Sequence, residues 1–338
     1  MASPDHKVRR AGRGSARLSG GLKALADAKK FDDSPVLGPT QKYVLDKEAR
    51  DHSRRQDIIH PSEMAHADWC PRATYRRIRS IRDGGVHRKE SFGFQSLSIF
   101  QNGHEMHSKW QRWLWEQGVL WGHWLCNACE RKHMATSPTS CFHCGSRDIQ
   151  YGEVPLDAEE EALIVGSADG GVPGHTALME FKTVGAGTVR FEDPELLRAH
   201  THKTVDGKTL VDYEGLWRSI NRPFSSHQRQ GQIYLWICAL RGLNFDKVIY
   251  IYESKFNQGV KEFVVKRRES IVYDVMKLAD GVKDALDGGG PVPVCPKGGC
   301  KHCDPEGEGN EAHTPRRGVR ASGADSRTSR RARPGTGS

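Results

Sequence analysis

The chain has 338 residues, with 51 Lys and Arg against 42 Asp and Glu and a net charge of +9. At 36% hydrophobic and 28% charged residues it can build a core under a heavily charged surface, in one large domain or two modest ones. No apolar run reaches 18 residues, which excludes a membrane-spanning helix from the expectations. The opening "MASPDHKVRRAGRGSARLSGG" has no apolar stretch of the secretory kind, so a cytoplasmic location is expected.

Such basicity points to a polyanionic partner, most often nucleic acid, although part of the excess lies in the tail. In a reducing compartment nine cysteines argue for metal binding rather than disulfides.

Residues 1–55 are polar and basic and are expected to be disordered, with a short helix near Leu22 to Lys30. Residues 56–121 form a helical region. "HPSEMAHADWCPRATYRRIRSI" has a turn and a candidate cap at Ser62, with helix on both sides of Cys70. "SLSIFQNGHEMHSKWQRWLWEQG" is the strongest helix; Ile99, Met106, His107, Trp110, Trp113 and Leu114 recur at its spacing, so His107 lies on or beside the inward stripe.

Residues 122–150 hold Cys126, Cys129, Cys141 and Cys144 in two C-x2-C pairs, a strong structural Zn2+ signal that looks like an inserted zinc ribbon. The ribbon either braces the fold or grips DNA through Arg131, Lys132 and His133, with bracing slightly ahead.

Residues 151–290 carry strands "IQYGEVPL", "ALIVGSADGGV" and "TALMEFKTV", then a polar excursion over 185–222, read as a mobile loop. The helix "SSHQRQGQIYLWICALRG" follows, opened by Ser225 or Ser226 and closed by Gly242. Then come the β-pair "KVIYIYES" and "VKEFVVKR" and a last helix. This order suggests an α/β domain with a mixed central sheet flanked by helices. Residues 291–303 form a cysteine cluster, and residues 304–338 a low-complexity tail expected to be disordered.

One strand is unusual. In "ALMEFKTV" Glu180 and Lys182 point to the same side of a strand otherwise fit for a core. Either charge buried alone would cost several kcal/mol, on the order of a broken buried ion pair. Asp169, at the end of the preceding strand, would reach Glu180 across an antiparallel pairing, and two close carboxylates call for a divalent cation between them. That arrangement suits metal-assisted phosphodiester hydrolysis: Asp169, Glu180 and the Phe181 carbonyl as oxygen ligands of Mg2+ or Mn2+, and Lys182 to orient or activate water. His107 offers a nitrogen ligand to the same ion, with His104 as competitor. Gln230 and Tyr234, four apart on one helix face, can reach a phosphate or position the lysine.

"GHEMH", "GEVPL", "GSADGG", "MEFKT" and "QRQGQIY" stand in the order of the motifs of RecB-type nucleases, and over residues 60–303 the chain resembles the PD-(D/E)XK superfamily. The resemblance implies a restriction-endonuclease-like core. His107, Asp169, Glu180 and Lys182 match its metal-and-lysine site, Gln230 and Tyr234 its Q-x-x-x-Y motif, and Glu153 the Glu opening the first strand. It implies a Mg2+- or Mn2+-dependent DNA exonuclease acting on single strands in recombination, replication or end processing, with a helicase or recombination factor as the candidate protein partner. The chain itself has no phosphate-binding motor loop.

Cys295, Cys300 and Cys303 leave a four-coordinate site one ligand short, and Cys70 is the natural fourth. One early and three late cysteines resemble the iron–sulfur staple of AddB and of the CRISPR-associated RecB-like exonucleases, which implies a [4Fe–4S] cluster. All-cysteine ligation suits zinc as well, and His302 could replace one cysteine. Cys238 reads as a core thiol. Trp110, Trp113 and Trp115 are candidates for stacking on bases, with core packing the stronger reading for at least two. The rival function is a non-catalytic nucleic-acid-binding protein held together by two metal sites.

Overall fold

The computed structural model describes residues 34–85, 91–300, 302 and 303. In chain order the helices are α1 Leu37–Arg50, α2 Pro61–Met64, α3 Pro71–Arg82, α4 Phe94–Glu116, α5 Glu159–Ala162, α6 Ala186–Glu192, α7 Pro194–Ala199, α8 Tyr213–Ser219, α9 Ser225–Leu240 and α10 Tyr273–Leu286. The strands are β1 Trp121–Cys126, β2 Lys132–Thr136, β3 Ile149–Tyr151, β4 Val154–Ala158, β5 Ile164–Ala168, β6 Gly170–Val172, β7 Ala177–Val184, β8 Thr201–Lys203, β9 Thr209–Val211, β10 Lys247–Ser254 and β11 Val260–Lys266.

The central sheet is mixed and runs β11-β10-β7-β6-β1-β2, with β3 also paired to β1. Only β7 and β10 are parallel; their register sets Glu180 beside Tyr250 and Lys182 beside Tyr252. The long crossover between them carries α6 to α9, as a parallel pair requires.

Alternation along β7 sorts its side chains onto two helical layers. Leu178 and Val184 join the larger core with Ile233, Tyr234 and Ile237 of α9. Met179 and Phe181 join Met106 on the other side, where Trp110 and Leu114 of α4 cover them. Phe181 is fully buried, a transfer worth about 1.5–3 kcal/mol. Helix α9 approaches β10 so closely that a Cβ on Gly231 would stand 2.0 Å from the Tyr250 hydroxyl. Glycine there lets α9 lie flat on the sheet, which brings the neighbouring Gln230 down onto β7.

The mixed sheet, its helical layers and both cysteine groups agree with the sequence reading. Several local expectations change. "IQYGEVPL" breaks into β3 and β4 at Gly152 and Glu153, where Glu153 takes φ 65°. The next strand breaks into β5 and β6 at Asp169. The ribbon is joined to the main sheet: β1 pairs with β6 through Trp121 and Gly171. The excursion over 185–222 folds into α6, α7, a β8–β9 hairpin and α8.

Helix α1 lies inside the stretch expected to be disordered, and it has no buried residue. Ser62 sits within α2, whose cap is His60, and α9 is capped by Phe224 rather than by a serine. The helix expected near Leu22 and the tail from 304 lie outside the described residues. No helix among the described residues is long and apolar enough to cross a membrane.

Candidate active site and metal centres

Asp169 stands at the break between β5 and β6, one residue before Gly170, which pairs with Met179 of β7. From there its Oδ2 accepts the Phe181 backbone N–H at 2.5 Å, and its Oδ1 lies 3.0 Å from His107 Nδ1. Gln111, one turn beyond His107 on α4, donates to the Asp169 carbonyl at 3.1 Å. The aspartate is 6% exposed, so this bend is pinned from both sides.

Donor atoms of His107, Glu153 and Asp169 lie within 4.8 Å of one another. Glu153 reaches this group because of its left-handed backbone. A non-glycine residue there carries a conformational cost of about 1–3 kcal/mol, tolerated where the surroundings fix it. They do so here: His123 N donates to the Glu153 carbonyl at 2.7 Å, Gly152 N donates to the His123 carbonyl at 2.7 Å, and the Ser167 hydroxyl donates to the Glu153 carboxylate. Burial and the Asp169 carboxylate raise the Glu153 carboxyl above its ordinary value. Burial opposes a charged His107, but its bond to Asp169 prevails and holds the imidazole above its usual value.

Glu180 and Lys182 face α9. Lys182 Nζ lies 2.7 Å from Glu180 Oε1 and donates to Gln230 Oε1 at 3.1 Å. Gln230 Nε2 in turn donates to the Tyr234 hydroxyl at 2.7 Å, which fixes the amide with its oxygen toward the lysine. The second Glu180 oxygen is buried and has no partner. Burial pushes the Glu180 carboxyl up to about 7, with Lys182 pulling it down and Asp169 adding to the rise. Burial disfavours the Lys182 ammonium, yet Glu180 and Asp169 outweigh it and keep that ammonium above its ordinary value.

The sequence-predicted residues therefore gather in two connected groups. Asp169 sits with His107, and Lys182 with Glu180, Gln230 and Tyr234. The tight donor set contains Glu153 and does not contain Glu180, where the sequence reading had paired Glu180 with His107 and Asp169. The motif resemblance names Glu153 as the Glu opening the first strand, without making it a metal ligand. His104 is exposed, and its charge pulls the Glu153 carboxyl down, which places it near the rim. Of the tryptophans, Trp110 donates to Glu253 at 2.9 Å and stacks on Phe181, Trp115 donates to the Pro138 carbonyl at 3.0 Å, and Trp113 is 46% exposed.

Cys126, Cys129, Cys141 and Cys144 converge, with sulfur pairs at 3.6 and 3.7 Å. A tetrahedral ion with metal–sulfur bonds of 2.3 Å has sulfur–sulfur edges of about 3.8 Å, so the group fits one zinc. Although burial opposes the thiolate, backbone N–H groups of His143 and Cys144 lower the Cys141 thiol to about 7.

Cys70, Cys295, Cys300 and Cys303 also converge, all four sulfurs lying within 4.8 Å and the Cys300–Cys303 pair at 3.7 Å. They join the start of α3 to the segment after α10, and Arg76 of α3 donates to the Cys303 carbonyl. The Cys300–Cys303 pair matches one edge of a tetrahedral single-ion site, and all-cysteine ligation also suits an iron–sulfur cluster. His302 is exposed, and the fourth position belongs to Cys70. Cys238 is buried in the main core.

No protein-family model and no curated protein matches the chain. Among solved structures it is similar to the alkaline exonuclease LHK-Exo from Laribacter hongkongensis, at 13% identity over 73% of this chain and 93% of that one, with a TM-score of 0.40. A second structure of that exonuclease, in complex with dAMP, matches at 13% identity over 69% and 89% of the two chains, with a TM-score of 0.39.

Proposed function

We propose that the chain is a divalent-cation-dependent nuclease that hydrolyses DNA phosphodiester bonds, working as an exonuclease on single strands. The observation that carries this reading is the convergence of His107, Glu153 and Asp169 beside a buried Glu180 oxygen that lacks a partner. An orphaned carboxylate oxygen costs about 1–3 kcal/mol or more. One facing other carboxylates has a cation as its natural partner. The order of the RecB-type motifs supports the same chemistry.

The residues present fit Mg2+ or Mn2+, held by Asp169, Glu180, His107 and Glu153. Such an ion supplies Lewis-acid polarisation of a phosphate and a more acidic bound water.

The remaining roles belong to the chain itself. Lys182, held by Glu180 and Gln230, would orient or activate the attacking water and offset charge developing on the phosphate. Gln230 and Tyr234 hold its Nζ in one place. Phe181 donates its backbone N–H to Asp169, which prevents the carboxylate from turning away.

Each four-thiol group is assigned one tetrahedral ion, zinc at Cys126, Cys129, Cys141 and Cys144 and a single ion at Cys70, Cys295, Cys300 and Cys303. The [4Fe–4S] reading of the second group rests on the motif resemblance alone. A recombination or replication setting, with a helicase-type partner, is the role that resemblance suggests.

The test is cleavage of end-labelled single-stranded DNA with Mg2+ or Mn2+. Lys182→Ala should lose at least 100-fold in rate, the scale for removing one preorganised charge-stabilising donor, while still binding the strand. Cleavage by Lys182→Ala at the wild-type rate would refute the assignment.

A further inference from the structure

The outer tip of the ribbon holds a side chain that bracing does not explain. Phe142, in the turn between Cys141 and Cys144, is 70% exposed. Its ring lies 4.6 Å from that of His133 on β2. Both ring nitrogens of His133 are buried and have no hydrogen-bond partner among the described residues. An unmet buried polar group is unfavourable, and a bare aromatic ring in water adds nothing to the fold. Two unfavourable features in contact point to a ligand that relieves both.

The surroundings state its chemistry. Arg131, Lys132 and Arg147 are exposed on the same ribbon, and none of them forms an ion pair among the described residues. Arg131 approaches His143 Nδ1 at 3.4 Å, and the His143 ring stands 6.2 Å from His133. Of the nearby acids, Asp148 is occupied by the Asn127 amide at 2.7 Å, and Glu130 is the other. An exposed aromatic face edged by unpaired guanidinium and ammonium groups suits an unstacked base with its phosphates. Duplex DNA offers no free base face to such a ring.

We infer that the ribbon tip, through Phe142 with His133, Arg131 and Lys132, is a docking platform for single-stranded DNA. Phe142 stacks on a base, and the flanking cations meet the phosphates beside it. Moving the ring onto a base uncovers the His133 nitrogens to a phosphate or to water. The platform has a fixed relation to the candidate active site, because Trp121 at one end of β1 pairs with Gly171, two residues past Asp169, while Cys126 at the other end is a ribbon thiol. The five steps between them span about 17 Å at 3.3 Å per residue. That the bound strand is the one to be cut rests on the nuclease reading; the platform itself does not need it.

The experiment is fluorescence anisotropy of a labelled single-stranded oligonucleotide with the full-length protein, without added Mg2+ or Mn2+. Phe142→Ala should weaken binding about tenfold, as loss of one base–aromatic stack does. Phe142→Tyr should restore it, and zinc content should be the same in all three proteins. Arg131→Ala should lower the slope of log affinity against log salt by about one. Equal affinities for wild type and Phe142→Ala would overturn the platform, as would a wild-type protein that binds no single strand.

The two readings fail separately. A protein that binds through Phe142 and never cleaves with Mg2+ or Mn2+ loses the nuclease assignment and keeps the platform. A protein that cleaves, with affinity indifferent to Phe142, does the reverse.

Discussion

Adding Mn2+ should raise the melting temperature through Glu180 and Glu153 of the candidate active site. Glu180 is 3% exposed with one oxygen that has no hydrogen-bond partner among the described residues, and Glu153 is held in a left-handed backbone beside Asp169. A cation that binds only the folded chain stabilises it by RT ln(1 + [L]/Kd), about 2.7 kcal/mol at one hundred times Kd. For a protein of this size each kcal/mol moves the melting point by about 2 °C, so the rise should be about 5 °C.

The sign with pH follows from the raised Glu180 carboxyl. Below about 7 the carboxyl holds a proton in the fold and competes with the cation, so the Mn2+-induced rise should shrink as pH falls from 8 to 6. Differential scanning fluorimetry on wild type, Glu180→Gln and Glu153→Gln measures all of this, with zinc already bound at the thiol sites in every sample. Both variants should lose most of the rise. If they respond to Mn2+ as the wild type does, the carboxylates do not hold the ion, and the reasoning fails.

Two further outcomes concern other parts of the molecule. His227 packs against Tyr252, and burial followed by the charges of Lys182 and His66 sets its imidazole well below the usual value. The unfolded chain takes up the His227 proton near pH 6.5 while the folded chain does not, so its contribution to stability is present above that pH and declines as pH falls below it. Urea unfolding of wild type and His227→Gln between pH 5 and 7.5 should show a weaker acid loss in the variant; identical slopes would contradict the burial argument. Cys70→Ser should remove one metal equivalent by elemental analysis, leaving the zinc of the Cys126 group, and lower the melting temperature. Iron with visible absorbance in the wild type would overturn the single-ion assignment.

The parts of the fold that could be read from the sequence were those set by local alternation. β7 announced itself because two charges stood on one face of an apolar strand, and the structure gives that face to α9. Spacing alone grouped Cys126 to Cys144, and counting ligands joined Cys70 to the late cysteines. Glu153 was harder, because its reach depends on a backbone φ that no residue type there requires. The merging of the ribbon into the main sheet hangs on one register, Trp121 against Gly171, which is decided by tertiary packing. Helix α1 escaped notice because it buries no residue and so shows no apolar stripe.

The Cys70 group also sets the order in which the molecule can mature. Its first thiol and the next one are 225 positions apart (295 minus 70). At synthesis rates of about 5–20 residues per second, Cys70 waits roughly ten to fifty seconds for its companions. Helix α3 cannot be clamped to the segment after α10 until that segment has left the ribosome. A chain truncated before Cys295 would have every residue of the candidate active site and still lack the tie between α3 and the segment after α10.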